Sequence, residues 1–328
     1  QNNSFINIST LNTDIKNEDQ FSDLDYISIN NLSELKILVK EIQNKGLVAI
    51  DTETNSLNLE KADLIGLSLS YNENKGFYIP INHKNIETKK NIKEQLSEEK
   101  VLEQIKIICS DPSILKIGQN LKYDIRLLKK YSVNFNSIED TMLISYALDN
   151  GLTRHGMDDL AYRHLNHSTI KYKDLVGSGK KQITFDYVNI NDATKYAAED
   201  AHITLKLYNE LKPRVIHEKT FNIYEKIDKP LIFTLSYMEE LGIKINEKYL
   251  KKLSNEFLEN AKILEKKIYK ITNKEFNIGS PKQLGEILFI DLNISGGKKT
   301  KSGTFSTDVT TLSNLSDAGY EIASLILE

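Results

Sequence analysis

Apolar residues recur at helical and then strand-like spacing through the first two thirds of the chain. Leu35, Ile37, Leu38, Val39 and Ile42 predict a helix opened by Ser33 and closed at Asn44-Lys45-Gly46, with Gly46 suited to a left-handed cap. The run over 46–51 (GLVAID) predicts a buried strand, and strands over 64–70 and 76–81 follow, with a turn over 72–76 between them. A helix over 97–109, a strand over 114–118 and helices over 121–131, 141–148, 157–165 and 192–211 come next, the last ended by Pro213. Strands first and interleaved helices afterwards argue an α/β layer fold. After Pro213 the pattern turns helical, with an amphipathic segment over 230–241 closed by Gly242 and a Lys/Glu-rich helix over 246–272. Ser280-Pro281-Lys282-Gln283 reads as a helix start, and 295–303 as a glycine-rich basic loop. Residues 1–25, rich in Asn, Ser and Asp, read as a flexible lead-in.

Length and composition narrow the class. At 328 residues, 40% hydrophobic and 27% charged, the chain suits two globular domains. No stretch approaches the roughly 20 apolar residues of a membrane span, so no membrane partner is expected. The single Cys109 excludes a disulfide framework and a cysteine-based zinc site, and points to a reducing, cytoplasmic setting. Gln1 and the apolar run that closes the chain suggest a piece of something longer. The net charge of −3 argues mildly against a nucleic-acid binder, but the charge is uneven. From Gly242 to Lys301 thirteen lysines face seven carboxylates.

Three short motifs carry candidate chemistry. Asp51 and Glu53 alternate to one side at the end of the first apolar strand. Carboxylates so close repel unless a cation separates them, and hard oxygen donors suit Mg²⁺ or Mn²⁺. Asn120 and Asp124 stand four residues apart where a helix begins, as do Tyr196 and Asp200 inside the helix over 192–211. Ala197, Ala198 and Ala201 leave room for close packing. Each motif alone is commonplace: a solvated strand end, an N-cap, a helix face. Together they bring four carboxylates and a tyrosine from one strand end and two helices, as a two-metal phosphodiester-cleaving site requires.

In that order, D-x-E, N-x3-D and Y-x3-D resemble the tyrosine subclass of proofreading 3′→5′ exonucleases in the ribonuclease-H-like superfamily. The stretches 117–124 (IGQNLKYD), 153–160 (TRHGMDDL) and 196–201 (YAAEDA) resemble the exonuclease domain of bacterial family A DNA polymerases. The stretches 230–245, 276–284 and 298–306 resemble the start of the polymerase region and its thumb, so the resemblance covers 26–328. It implies a ribonuclease-H-like mixed sheet flanked by helices over 26–215, then a mostly helical, partial thumb region over 216–328. The palm carboxylates would then lie beyond Glu328, and this segment alone would not extend a primer.

The resemblance also implies roles. Asp51, Glu53 and Asp200 would hold the tighter of two divalent ions, Mg²⁺ or Mn²⁺, with Zn²⁺ an alternative there. Asp51 would bridge to a second ion near Asp124, and Tyr196 and Glu53 would orient the attacking water. Leu57 would wedge beside the terminal base, with Gln119, Asn120 and Tyr123 on the terminal nucleotide, Arg154 on an upstream phosphate and Phe185 stacked on a base. A core role suits Leu57 and Phe185 about as well. Lys298, Lys299 and Lys301 are expected on the DNA backbone. The expected partner is DNA, bound by a monomer. Two other readings are a ribonuclease D-like RNA 3′ exonuclease, which the thumb-like segment disfavours, and a non-catalytic scaffold, which the intact carboxylates disfavour.

Overall fold

The computed structural model describes residues 25–300 and 303–328, and the chain divides into two compact units at Gly242/Ile243. Among the described residues no helix is long and apolar enough to cross a membrane.

The first unit is built on one mixed sheet of six strands: β1 (Asp25–Ser28), β2 (Leu47–Thr54), β3 (Leu64–Asn72), β4 (Lys75–Pro80), β5 (Leu115–Gly118) and β6 (Ile138–Asp140). Their spatial order is β1-β4-β3-β2-β5-β6. β2, β3 and β4 form an antiparallel meander, while β2, β5 and β6 run parallel. β3 is buried from Leu64 to Ser70, the signature of a strand covered on both faces. Helices α1 (Leu32–Lys45) and α2 (Glu98–Ser110) share one apolar cluster with the sheet, and α3 (Lys122–Lys129) joins it through Ile125, Leu127 and Leu128. The other face is crossed by α7 (Ile190–His217). Between them in sequence lie α4 (Thr141–Asp149), α5 (Met157–Leu165) and α6 (Tyr172–Val176).

The predicted fold class and elements of this unit are present, with several differences, the unexpected short helix α6 among them. Asn31, not Ser33, caps α1, its side chain accepting from Glu34 N–H at 2.9 Å. Asp25, assigned to the lead-in, begins β1; the rest of the lead-in, 1–24, lies outside the described residues. The short strands β1 and β6 carry too few residues for a pattern to register. α7 begins earlier than expected, at Ile190 behind an Asn189 cap, and runs straight through Pro213 to His217. A proline inside a helix costs about 3 kcal/mol. Leu211 and Val215, fully buried with Tyr224 and Leu160, offset that cost, while Pro213 itself lies on the exposed side.

After α7 come the single turn α8 (Phe221–Ile223), a π-helical turn (Tyr224–Asp228) and α9 (Lys229–Leu241). These pack with the sheet-bearing unit, which as a compact body runs to Gly242. The second unit holds α10 (Glu247–Thr272), α11 (Pro281–Glu286), α12 (Val309–Asp317) and α13 (Glu321–Leu327). Its core joins Ile268, Leu284, Leu288, Phe289, Leu312 and Ile322. Ser280 and Pro281 open α11 as their sequence predicts.

Candidate active site

Register explains why the first carboxylates stand where they do. β5 pairs with β2 only from Leu47 to Ala49, whereas β3 follows it to Thr54. The far half of β2 therefore projects beyond β5 and leaves a crevice at the carboxyl ends of two parallel strands. Asp51 pairs with Ser68 and Glu53 with Gly66, and a bulge follows Glu53. A Cβ at Gly66 would lie 2.1 Å from the Tyr78 hydroxyl, so glycine is what lets that ring pack against β3.

The helical partner is placed by close approach. A Cβ on Gly76 of β4 would lie 2.4 Å from the Ala198 carbonyl oxygen, so α7 rides directly on the sheet backbone. Ala193, Ala197, Ala198 and Ala201 are fully buried there. This fixes Tyr196 and Asp200 on the same face as Asp51 and Glu53. One carboxylate oxygen from each of Asp51, Glu53 and Asp200 lies within 4.8 Å of the others.

Asp124 reaches the crevice by a different device. Asn120, at φ +61°, turns the chain after β5, and Asp124 sits in the first turn of α3. Asn120 thus precedes the helix rather than sharing its face. The Asp140 carboxylate grips this turn, accepting from Asn120 N–H (3.2 Å) and Leu121 N–H (2.8 Å). Asp124 stands outside the three-carboxylate cluster, and the Thr52 hydroxyl donates to its Oδ1.

These groups line a cleft of about 810 Å³ with Leu57, Gln119, Asn120, Tyr123, Tyr172 and the 182–184 segment. Burial pushes Asp51 up to about 7, against the pull of the Thr52 backbone N–H. Burial and then repulsion from Asp51 hold Glu53, Asp124 and Asp200 well above the usual carboxylate range. Asp51 is the strongest charged neighbour of all three, as a shared central ligand would be. Tyr196 is also raised, by burial and by Asp200, whose carboxylate its hydroxyl hydrogen-bonds. Among the described residues the charged neighbours that shift these carboxylates are other carboxylates, and Glu53 Oε1 is buried without a hydrogen-bond partner. An all-oxygen donor set with an orphaned buried carboxylate oxygen fits a hard divalent cation.

Residues 26–216 match the family model described as 3′-5′ exonuclease. The chain belongs to that family. Residues 247–328 match DNA polymerase family A. DNA polymerase I of Rhizobium leguminosarum is 42% identical over 316 residues, covering 92% of this chain and 31% of the relative. DNA polymerase I of Pseudomonas aeruginosa is 35% identical over 311 residues, covering 94% of this chain and 34% of the relative. The chain thus spans about a third of the length of these curated relatives. A solved structure, the POL domain of Pol1 from M. smegmatis in complex with DNA primer-template and dNTP, aligns over 92% of this chain and 47% of its own. Its TM-score is 0.63 at 22% identity, a likeness of fold. Exonuclease membership and the acidic cluster together mean that the chain uses divalent metal.

The remaining residues expected in the exonuclease cleft separate into groups. Leu57 is 92% exposed at the cleft, not a core leucine. Tyr123 lines it, its hydroxyl tied to Thr54 Oγ1 (2.8 Å) and Ser56 O (2.9 Å). Gln119 lines it too, its amide anchored by Nε2 donating to His155 O at 2.9 Å and Oε1 accepting from the Thr141 hydroxyl, with one N–H left over. Arg154 is exposed beside that anchored loop and does not line the cleft. Phe185 is fully buried and cannot take a base. Tyr172, stacked 6.2 Å above it and 42% exposed, is a third tyrosine lining the cleft beside Tyr123 and Tyr196. Only its aromatic character signalled Tyr172 in the sequence, and Phe185 shared that signal.

The described residues on the two sides of the basic loop in the second unit pair with one another. Lys299 bridges to Phe305, and Ser306 N–H donates to Lys298 O at 2.8 Å. A Cβ at Gly297 would meet the Phe289 ring at 2.7 Å, so this glycine serves packing. Lys298 and Lys299 are exposed, and Lys301 lies outside the described residues.

Proposed function

We propose that the cleft removes nucleotides one at a time from the 3′ end of DNA, releasing nucleoside 5′-monophosphates. The observation that carries this is the cluster of Asp51, Glu53 and Asp200, with Asp124 beside it in the same cleft. Asp51, Glu53 and Asp200 would hold one divalent ion, and Asp51 with Asp124 a second. Mg²⁺ or Mn²⁺ suits both sites, with Zn²⁺ an alternative at the tighter one. Such ions lower the pKa of a water and neutralise charge gathering on the phosphate and the leaving 3′ oxygen.

The chain's own groups do the rest. Glu53 and the Tyr196 hydroxyl, whose one hydrogen lies on Asp200, both accept from the attacking water and aim it at phosphorus. Thr52 holds Asp124 in place. Leu57 separates the terminal base from its neighbour, and Tyr172 stacks on a base. Arg154 meets a phosphate upstream of the cleft. Duplex ends must unpair to enter, so frayed and single strands are preferred.

In the second unit, Lys298, Lys299 and Lys301 would contact the DNA backbone. Their joint replacement by Ala should flatten the slope of log affinity against log salt by about 2–3, at roughly 0.9 per phosphate contact. The longer protein would synthesise DNA on a template and act in replication or repair. A cytoplasmic monomer accords with the buried free Cys109.

The test is digestion of a 5′-labelled single strand, as DNA and as RNA, with Mg²⁺, with Mn²⁺ and with chelator. A ladder shortening from the 3′ end of DNA, lost in chelator, supports the reading. Equal cleavage in chelator overturns it, and faster loss of RNA would favour the ribonuclease D-like alternative.

A further inference from the structure

Asp140 does two jobs with one carboxylate. Its Oδ1 caps α4, accepting from Met142 N–H at 2.9 Å and Leu143 N–H at 3.2 Å. The same oxygen takes Asn120 N–H, and Oδ2 takes Leu121 N–H. The turn that delivers Tyr123 and Asp124 to the cleft is therefore set by where Asp140 sits. A Cβ at Gly118 would meet the Leu121 side chain at 2.5 Å, so the turn is tight and has little slack.

Asp140 is in turn placed by a residue far along the chain. Tyr224 is fully buried, and its hydroxyl accepts from Asp140 N–H at 3.1 Å and donates to Glu139 Oε2 at 2.7 Å. The ring is held between ammonium groups, with Lys212 Nζ 4.6 Å and Lys229 Nζ 5.4 Å from its centroid. Both lysines also bond Glu139, at 2.8 and 3.0 Å. A second grip comes from α9, where Glu239 pairs with Lys122 and with Arg126 (2.6 Å), and Glu240 with Lys129.

We infer that Tyr224, eight residues past the segment matched by the exonuclease family model, is a positioning residue for the cleft: through Asp140 it fixes the turn that presents Asp124. The inference rests on the exonuclease reading of the cleft. It makes the segment after α7 a working part of that site rather than a connector to the second unit.

The test is Tyr224→Phe in the full chain, assayed well below its unfolding midpoint. Removing the hydroxyl leaves the Asp140 N–H without its acceptor and loosens the turn. The kcat on a short single strand should fall about tenfold with KM within twofold, and the rise in unfolding midpoint on adding Mn²⁺ should shrink. Hydrogen exchange at Asn120 and Leu121 should quicken about tenfold, with β3 amides unchanged. Should this variant fail to fold, Asp140→Asn keeps the cap oxygen, removes only the acceptor for Leu121 N–H, and should give the same pattern. A lower unfolding midpoint with kcat, KM and the Mn²⁺ response unchanged would overturn the inference and leave a merely structural tyrosine. An inactive wild type would instead overturn the exonuclease reading, while the exchange data would still report on the turn.

Discussion

Two groups of buried carboxylates sit on the same sheet and are provided for in opposite ways. Glu53 and Glu139 are almost equally buried, at 7% and 5% exposure. Glu139 takes two lysines and a tyrosine hydroxyl, and its neighbour Glu225, against the opposing effect of burial, is held below the ordinary range by Lys212 and Lys229. The charged neighbours that act on Glu53 among the described residues are Asp51, Asp200 and Asp124, and one of its oxygens stays unbonded. Burying a carboxylate costs several kcal/mol unless it is paired. The fold offsets that cost at β6 with its own cations and leaves it open at β2, where a cation from outside fits. The contrast teaches that burial alone does not mark a functional carboxylate; several carboxylates converging with no cation among them do.

The comparison breaks hardest in catalysis. Asp51→Ala and Asp200→Ala should each lower the cleavage rate by about 10³-fold or more, since each removes a ligand from the cluster. Their metal-free stability should hold or rise, because repulsion is relieved. Tyr196→Phe should lose less, as it removes an orienting hydroxyl and no ligand. Glu139→Ala should do the reverse, costing about 1–3 kcal/mol in urea unfolding because Lys212 and Lys229 keep only Glu225 and the buried Tyr224 hydroxyl loses its acceptor. Retained stability there would mean that Glu225 alone satisfies both lysines.

Aromatic variants sharpen the same division. Phe185→Ala should cost about 3–5 kcal/mol of stability as a core truncation. Tyr172→Ala should leave stability nearly unchanged and raise KM, in line with the roughly 1–3 kcal/mol of a base stack. If Tyr172→Ala left KM untouched, the exposed ring would have no part in binding.

The pH dependence should be the gentlest signature. Asp51, at about 7, and its neighbours are raised in the folded state. Groups raised on folding contribute stability that is present below their unfolded pKa, near 4, and lost as pH rises through the folded value. Metal-free protein should therefore lose stability from about pH 5 to 8, and Mn²⁺ should cancel the loss. A urea midpoint that rises across this range without metal would contradict the unpaired cluster.

Much of this site is legible in the sequence because its carboxylates need fixed spacings on regular elements. Asp51 and Glu53 follow from strand alternation, and Tyr196 and Asp200 from one helical turn flanked by alanines. What stays hidden depends on contacts between distant segments. Tyr172 and Phe185 have the same chemistry, and only packing exposes one and buries the other. Asp140 and Tyr224 look like a strand end and a core aromatic until their shared hydrogen bonds join them. Pro213 signals a helix end locally, and the apolar anchors on either side of it override that signal.

The central claim is that the unpaired carboxylates form a metal site, and calorimetric titration with Mn²⁺ at two pH values tests it most directly. Near pH 6.5 part of the cluster is protonated, so binding must expel protons, and the measured heat should change with the ionisation heat of the buffer. That buffer dependence should be smaller near pH 8, above the Asp51 value, and Asp200→Ala should abolish tight binding at both. Saturable Mn²⁺ binding with proton release at the lower pH is the predicted result. No Mn²⁺ binding, or binding unaffected by Asp200→Ala, would contradict the account.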